Sequence, residues 1–155
     1  MAFVKIENGV VVQKQPYFEA DFIEAPDSVL CGMIVDGQGG YQAPERPIET
    51  RRAARCQQLE SDLHHYIFDV HDYPVPTQIT LQALYADPDS SPPARAACKQ
   101  IFDWVKSVLG YYYGIKAQVL AAGNPDEITW DFAVACDAAA PGLSLAQVMQ
   151  LAQSN

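Results

Sequence analysis

The sequence predicts an α+β fold, in which a small antiparallel N-terminal β-meander precedes a helical domain with one long helix. Up to residue 47 the chain consists of short apolar runs separated by Gly, Pro and Asn-Gly turns. From Thr50 onward, apolar residues recur every three or four positions, and one apolar face persists from about 92 to 122. We therefore expect a β-rich module at 1–47 and a mainly helical domain at 48–155, which either stay separate or form one compact unit.

The N-terminal module is expected to begin with a β-hairpin. The apolar runs FVKIE and VVVQ flank Asn8-Gly9, and Asn-Gly between two apolar runs is a strong signal for a tight turn. Two more strand-like runs follow, DFIEAP and VLCGMIVDG. The stretch DGQGG at 36–40 lacks the Lys-Ser or Lys-Thr of a phosphate-binding loop, so we interpret it as a turn.

Two helices are predicted in the first part of the helical domain. The apolar stripe of the first comprises Ala53, Cys56, Leu59, Leu63, Tyr66 and Val70. Pro74 and Pro76 end it, because a proline inside a helix removes a backbone hydrogen bond. A shorter helix follows, with Thr77 as its N-cap. Its apolar residues are Ile79, Leu81, Leu84 and Tyr85.

The helix at about 92–122 is the best-defined element. Ser91 is its expected N-cap, and Pro92 and Pro93 suit the first turn, where their missing N–H groups cost nothing. Its apolar face comprises Ala97, Ile101, Trp104, Val108, Ile115, Val119 and Ala122, completed by Tyr111 or Tyr112. Gly123 is expected to end the helix in a left-handed conformation.

Two elements are predicted after the long helix. ITWDFAVAC alternates apolar and polar residues, which predicts a strand at 128–136 that either joins the N-terminal sheet or lies along the helices. Ser144 then caps a short terminal helix. The residues expected to face inward there are Leu145, Val148, Met149 and Ala152.

Charge and composition argue against two classes of partner. The 155-residue chain has a formal net charge of −9, whereas nucleic-acid binding requires a basic face. The one basic cluster is Arg46, Arg51, Arg52 and Arg55, which we interpret as the solvated face of a helix start, with a patch for an anionic partner as the alternative. No apolar run approaches the roughly 18 residues of a membrane span, and MAFVKIENG lacks the pattern of a secretory signal. We expect a cytoplasmic protein that binds neither nucleic acid nor membrane.

The four cysteines are expected to be free thiols. Cys31, Cys56, Cys98 and Cys136 form no CxxC pair, and the absence of a signal peptide argues against disulfides. A Cys–His nucleophilic pair stays open as an alternative, because such partners meet only in the folded chain.

All three histidines lie in LHHYIFDVHDYPVP, at 63–76. A metal site here would use His64, His71 and Asp72, since the two histidines are seven positions apart along a helix. His65 and Asp69, four apart, point in another direction, and no HExxH spacing is present. We interpret the region as a helix end, and we expect no metal, no cofactor and no catalytic residue. A small metal- or thiol-dependent enzyme that uses this region is the alternative.

The stretch GYYYG is the candidate for a partner interface. Gly110 and Gly114 lie four positions apart in the long helix and would let another backbone approach closely, either that of a helix of this chain or that of a partner. Tyr112 and Tyr113 are interface candidates beside them, because exposed tyrosine offers a large contact area at low entropy cost. The other interpretation is that the tyrosines complete the core. Self-association is a further expectation.

Three N-terminal segments resemble a module common in phage and prophage tail genes. They are KIENGVVVQ, FIEAPDSVLCG and IVDGQGGYQAPE, followed by the Arg-rich ETRRAARCQQL, and together they cover about residues 3–60. The resemblance implies a component or assembly factor of a phage tail, encoded near tail-fibre genes, with a tail or tail-fibre protein as its partner. It implies no catalytic residue. The expected location is the bacterial host cytoplasm during assembly, and the virion tail if the protein is retained there; a generic cytoplasmic adaptor is the other alternative.

Overall fold

The computed structural model describes residues 1–153, and its contacts divide the chain into two compact units, Met1–Pro47 and Ile48–Asn155. The first contains a five-stranded antiparallel sheet and the second consists of helices, which confirms the α+β prediction. In the described part of the chain, no helix is long and apolar enough to cross a membrane.

The predicted hairpin forms the centre of the sheet. Asn8 and Gly9 link its strands with φ values of 51° and 77°, as a type I′ turn requires. The strands are β1 (Ala2–Glu7), β2 (Val10–Gln15), β3 (Ile23–Ala25), β4 (Ile34–Val35) and β5 (Tyr41–Gln42). Their order across the sheet is β3-β1-β2-β4-β5, so β3 lies beside β1 and not beside its predecessor β2. The fifth strand was not predicted.

The DGQGG stretch forms the turn between β4 and β5. The Asp36 carboxylate accepts hydrogen bonds from the backbone N–H groups of Gln38 and Gly40, at 2.9 and 2.7 Å. A Cβ atom on Gly40 would clash with Asp36 Oδ2. A side chain at position 40 would therefore force the Asp36 carboxylate to move.

The helical unit is built around one long helix. Its elements are α1 (Ile48–His64), a π-helical segment (His65–Val70), α2 (Val75–Ala86), α3 (Pro92–Ala121), α4 (Phe132–Cys136) and α5 (Leu145–Gln153), with 3₁₀ turns at Pro125–Glu127 and Asp137–Ala139. The α3 helix contacts α1, α2, α4 and α5. Its buried residues are Ala94, Ala97, Cys98, Ile101, Trp104, Val108, Tyr112, Ile115 and Val119.

The start of α3 is as predicted, but its end is not. Ser91 Oγ accepts a hydrogen bond from the Ala94 N–H at 3.3 Å. At the other end, Gly123 does not have a positive φ, and Ala122 ends the helix in an extended conformation. The guanidinium of Arg52 donates a hydrogen bond to the Ala122 carbonyl at 2.9 Å, and the Ala122 N–H donates to the Gln118 carbonyl.

The end of the first helix differs from the prediction in geometry. The chain widens into a π-helical turn, in which the His71 N–H donates to the Tyr66 carbonyl five residues earlier. This wider turn shifts the inward positions, so that Ile67 is buried and Val70, predicted to face inward, is exposed. The following helix starts at Val75 and not after Thr77.

The strand predicted at 128–136 is wrong. The Asp131 carboxylate accepts a hydrogen bond from the Val134 N–H at 3.0 Å and so caps the short helix α4. Phe132 and Cys136, one helical turn apart, are buried, whereas Val134 is 83% exposed. The segment therefore joins no sheet.

The terminal helix α5 starts as predicted. The Ser144 hydroxyl accepts from the Gln147 N–H at 3.2 Å, and the Gln147 side chain accepts from the Ser144 N–H at 2.7 Å. Val148 is fully buried, but Met149, expected to face inward, is exposed.

Candidate functional site

The structure does not bring the candidate metal ligands together. His64 stacks on Phe68, whereas His71 lies over Trp104, with 4.5 Å between the two ring centroids. Asp72 is exposed and has a φ of 56°. Within residues 1–153, no group of three His, Cys, Asp or Glu side chains is arranged to hold a metal ion.

His71 belongs instead to a hydrogen-bonded cluster that the sequence did not reveal. Asp137 accepts a hydrogen bond from the Tyr66 hydroxyl at 2.6 Å, and His71 Nε2 lies 3.2 Å from the same carboxylate oxygen. The Tyr66 hydroxyl, followed by His71, lowers the pKa of Asp137, and burial together with this carboxylate raises the pKa of Tyr66. The cluster joins the π-helical segment to the 3₁₀ turn after α4. We therefore interpret it as a structural contact between these two segments.

The arginines at the start of α1 contact the segment that follows α3. Arg51 pairs with Asp126 at 2.7 Å, and the guanidinium of Arg55 lies 4.2 Å above the ring of Trp130. With the bond from Arg52 to the Ala122 carbonyl, three of the four arginines make contacts within the helical unit. The interpretation of this cluster as a solvated helix face is therefore wrong for these three side chains.

The cysteines are free thiols in the described chain, and two of them are deeply buried. Cys31 is exposed and Cys56 is half-buried. Burial raises the pKa of both Cys98 and Cys136, which disfavours the nucleophilic thiolate at neutral pH.

The structure separates the two tyrosines proposed for an interface. Tyr112 is only 6% exposed, and its hydroxyl accepts a hydrogen bond from Lys116 at 3.2 Å, so it belongs to the core and the interface prediction for it is wrong. Tyr113 is 62% exposed. One residue along a helix rotates the side-chain direction by about 100°, which explains the difference.

Gly110 and Gly114 are exposed, and a Cβ atom on either would meet no atom within 4 Å. The possibility that they admit a neighbouring helix of this chain is therefore excluded for the described residues. Each glycine costs about 1 kcal/mol of helix stability relative to alanine. No contact among the described residues requires a glycine at either position.

The exposed side of α3 around these glycines is uncharged. We define the outward face of α3 as Gly110, Tyr113, Gly114, Ala117 and Leu120, all of which are exposed. They recur every three or four residues on the side opposite Val108, Ile115 and Val119, which are buried.

A second uncharged surface lies on α2. We define the outward face of α2 as Val75, Ile79, Ala83 and Ala86, all exposed, with Val75 at 54% and Ile79 at 60%. Leu81 is the one buried residue of this helix. The twelve residues of α2 include no Asp, Glu, Lys or Arg, a signal that was visible in the sequence and missed.

The two helix faces are the strongest candidates for contact with another protein, because exposed apolar surface without charge is typical of the centre of interfaces.

Comparison with protein-family models, curated proteins and solved structures gives no match for this chain.

Proposed function

We propose that the protein is a non-enzymatic phage or prophage tail protein, which acts through protein–protein contacts as a tail or tail-fibre assembly factor or as a minor structural component. The resemblance of residues 3–60 to a tail-gene module supports the class of partner. The structural observation that supports a protein contact is the exposed, uncharged outward face of α2.

The outward face of α2 combines exposed apolar side chains with the absence of charge. The chain has a formal net charge of −9, yet α2 exposes two β-branched residues and no charged group over three turns. Burying Val75 and Ile79 against a partner would remove apolar surface from water at little desolvation cost, since no charge has to be stripped of water.

The acidic exterior is consistent with a role during assembly in the host cytoplasm. A net negative charge keeps unassembled copies soluble while an apolar face waits for its partner. The same charge disfavours the phosphate backbone of nucleic acids. If the protein stays in the completed particle, it lies in the tail.

The test is co-purification of the full chain with the products of the neighbouring tail, tail-fibre and baseplate genes. We expect one of them to bind, and we expect Ile79→Asp to weaken that binding at least tenfold because it places a charge in the contact. Val134→Asp is the matched control, since Val134 is even more exposed but lies on α4. Binding to none of these proteins, or equal loss with both variants, would overturn the proposal.

A further inference from the structure

We propose that the outward face of α3 pairs with the same face of a second copy of this chain, with the two helices antiparallel. The inference goes beyond the proposed tail function, because it concerns contacts between copies of this chain alone. It rests on the shape and the charge distribution along α3.

The shape of the face is self-complementary. In an antiparallel pair with its twofold axis at the level of Ile115, Gly110 of one copy lies opposite Leu120 of the other, and Tyr113 lies opposite Ala117. Each large exposed side chain thus meets a small one. The two exposed glycines, which no part of the described chain approaches, allow the second backbone to come close.

Charge favours a second copy in this antiparallel orientation. Toward its N-terminal end, the same side of α3 carries the exposed Lys106, next to the ion pair of Lys99 and Asp103. The exposed Glu127 follows the C-terminal end of the helix, where the neighbouring Asp126 is already paired with Arg51. Antiparallel pairing brings Lys106 of each copy toward Glu127 of the other. Parallel pairing would instead place lysine beside lysine and acid beside acid.

The size of the face sets the expected strength. The eleven positions from Gly110 to Leu120 extend along about 16 Å of helix. A face of five residues is much smaller than the roughly 20–30 residues a side of a standard interface, so we expect a weak, reversible dimer with a dissociation constant on the order of 100 µM.

The test is sedimentation velocity of the full chain from about 1 to 500 µM, a range chosen to bracket the expected dissociation constant. Gly110→Leu places a leucine opposite Leu120 of the other copy, where the two side chains collide. Leu120→Ala removes the large side chain that packs against Gly110. Each change is expected to raise the dissociation constant at least tenfold. In the double variant Gly110→Leu/Leu120→Ala, the large side chain stands at position 110 and the small one at position 120, so each large side chain again meets a small one. Its dissociation constant is expected to lie within about threefold of that of the original protein. Ile79→Asp, on α2, is the control and should dimerise normally.

A monomer at every concentration would overturn the proposal, and so would a double variant as weak as the two single losses combined. Circular dichroism and a melting curve check the fold of each variant; replacing the exposed Gly110 improves helix propensity, so folding is not at risk. Because the measurement uses no tail protein, its failure is distinguishable from failure of the proposed tail function.

Discussion

Gly40 sits where the turn between β4 and β5 leaves no room for a side chain. Gly40→Ala would place a methyl group against Asp36 Oδ2, so the carboxylate would have to shift and the hydrogen bonds that its Oδ1 accepts from the Gln38 and Gly40 amides would weaken. We expect a loss of about 1–3 kcal/mol in the free energy of unfolding of the N-terminal unit, measured by urea titration. Gly37→Ala is the control, since nothing lies within 4 Å of that position. Equal losses in both variants would contradict the role assigned to the turn.

The four thiols should differ in reactivity according to their burial. In the folded protein, Cys31 is expected to react rapidly with a thiol reagent, and Cys98 and Cys136 only after unfolding, because burial raises the pKa of each. Titration in denaturant without reductant should give all four thiols. A result of two or fewer, with the remainder recovered by reduction, would show disulfides instead.

The Asp137 cluster predicts a specific pH dependence. A carboxylate whose pKa is lower in the folded than in the unfolded chain stabilises the fold above its ordinary value, and this contribution is lost as the pH falls through the folded pKa. The ordinary value for Asp137 is 3.8, and the Tyr66 hydroxyl is the main cause of its lowering. Tyr66→Phe should therefore be less stable than the original at pH 7, with the difference shrinking as the pH falls below 3.8.

Chemical denaturation at pH 7 and across the acid range measures this difference. Tyr85→Phe is the matched control, since Tyr85 is half-exposed and lies outside the cluster. A difference between Tyr66→Phe and the original protein that stays constant from pH 7 to the acid range would contradict the assignment of the hydrogen bond.

At the scale of single residues, the sequence correctly predicted turns and helix caps that depend only on residues nearby in the chain. The turn at Asn8-Gly9 and the caps at Ser91 and Ser144 depend on groups within a few positions, and all three were correct. Gly123 was predicted to be left-handed and is not, and the Ala122 carbonyl beside it accepts a hydrogen bond from Arg52, seventy residues away in the sequence. A contact of that kind has no local signal.

At the scale of elements, the segment after α3 depends on contacts with α1. Trp130 donates its indole N–H to the Asp62 carboxylate at 2.9 Å and lies beneath the Arg55 guanidinium. Trp130→Phe keeps a ring but removes the donor, so we expect a loss of about 1 kcal/mol in the free energy of unfolding. Thr129→Ala, at an exposed neighbour, should change it by less than about 0.5 kcal/mol. Equal changes would mean that the indole bond contributes nothing.

The elements that were predicted correctly are those with a long repeat. In α3, one side of the helix stays apolar over about thirty residues, and a helical repeat of this length does not arise by chance. The nine residues at 128–136 are too few to distinguish a strand from an extended segment followed by one helical turn. Phe132 and Cys136 fit both patterns, and the cap at Asp131 decided the outcome. The π-helical turn at His65–Val70 likewise follows from packing, since the helical repeat continues through it in the sequence.

At the scale of the whole molecule, the distribution of charge is more informative than its total. The net charge of −9 predicted a surface that avoids phosphate, but it did not reveal where the surface lacks charge. The absence of charge in α2 could be read from the sequence, but only the structure showed that Ile79 and Tyr113 are exposed. Of the interface residues predicted from the sequence, Tyr113, Gly110 and Gly114 lie on the surface and Tyr112 does not.

Hydrogen–deuterium exchange of the protein alone and mixed with a tail or tail-fibre protein that binds it tests most directly the proposal that α2 contacts such a partner. We predict that peptides covering Val75–Ala86 exchange more slowly in the mixture, because a bound partner would suppress the local openings of α2 that expose its amides. The protection should be absent with Ile79→Asp. Unchanged exchange in α2, while the partner is bound and another part of the chain is protected, would contradict the role that we assign to this helix.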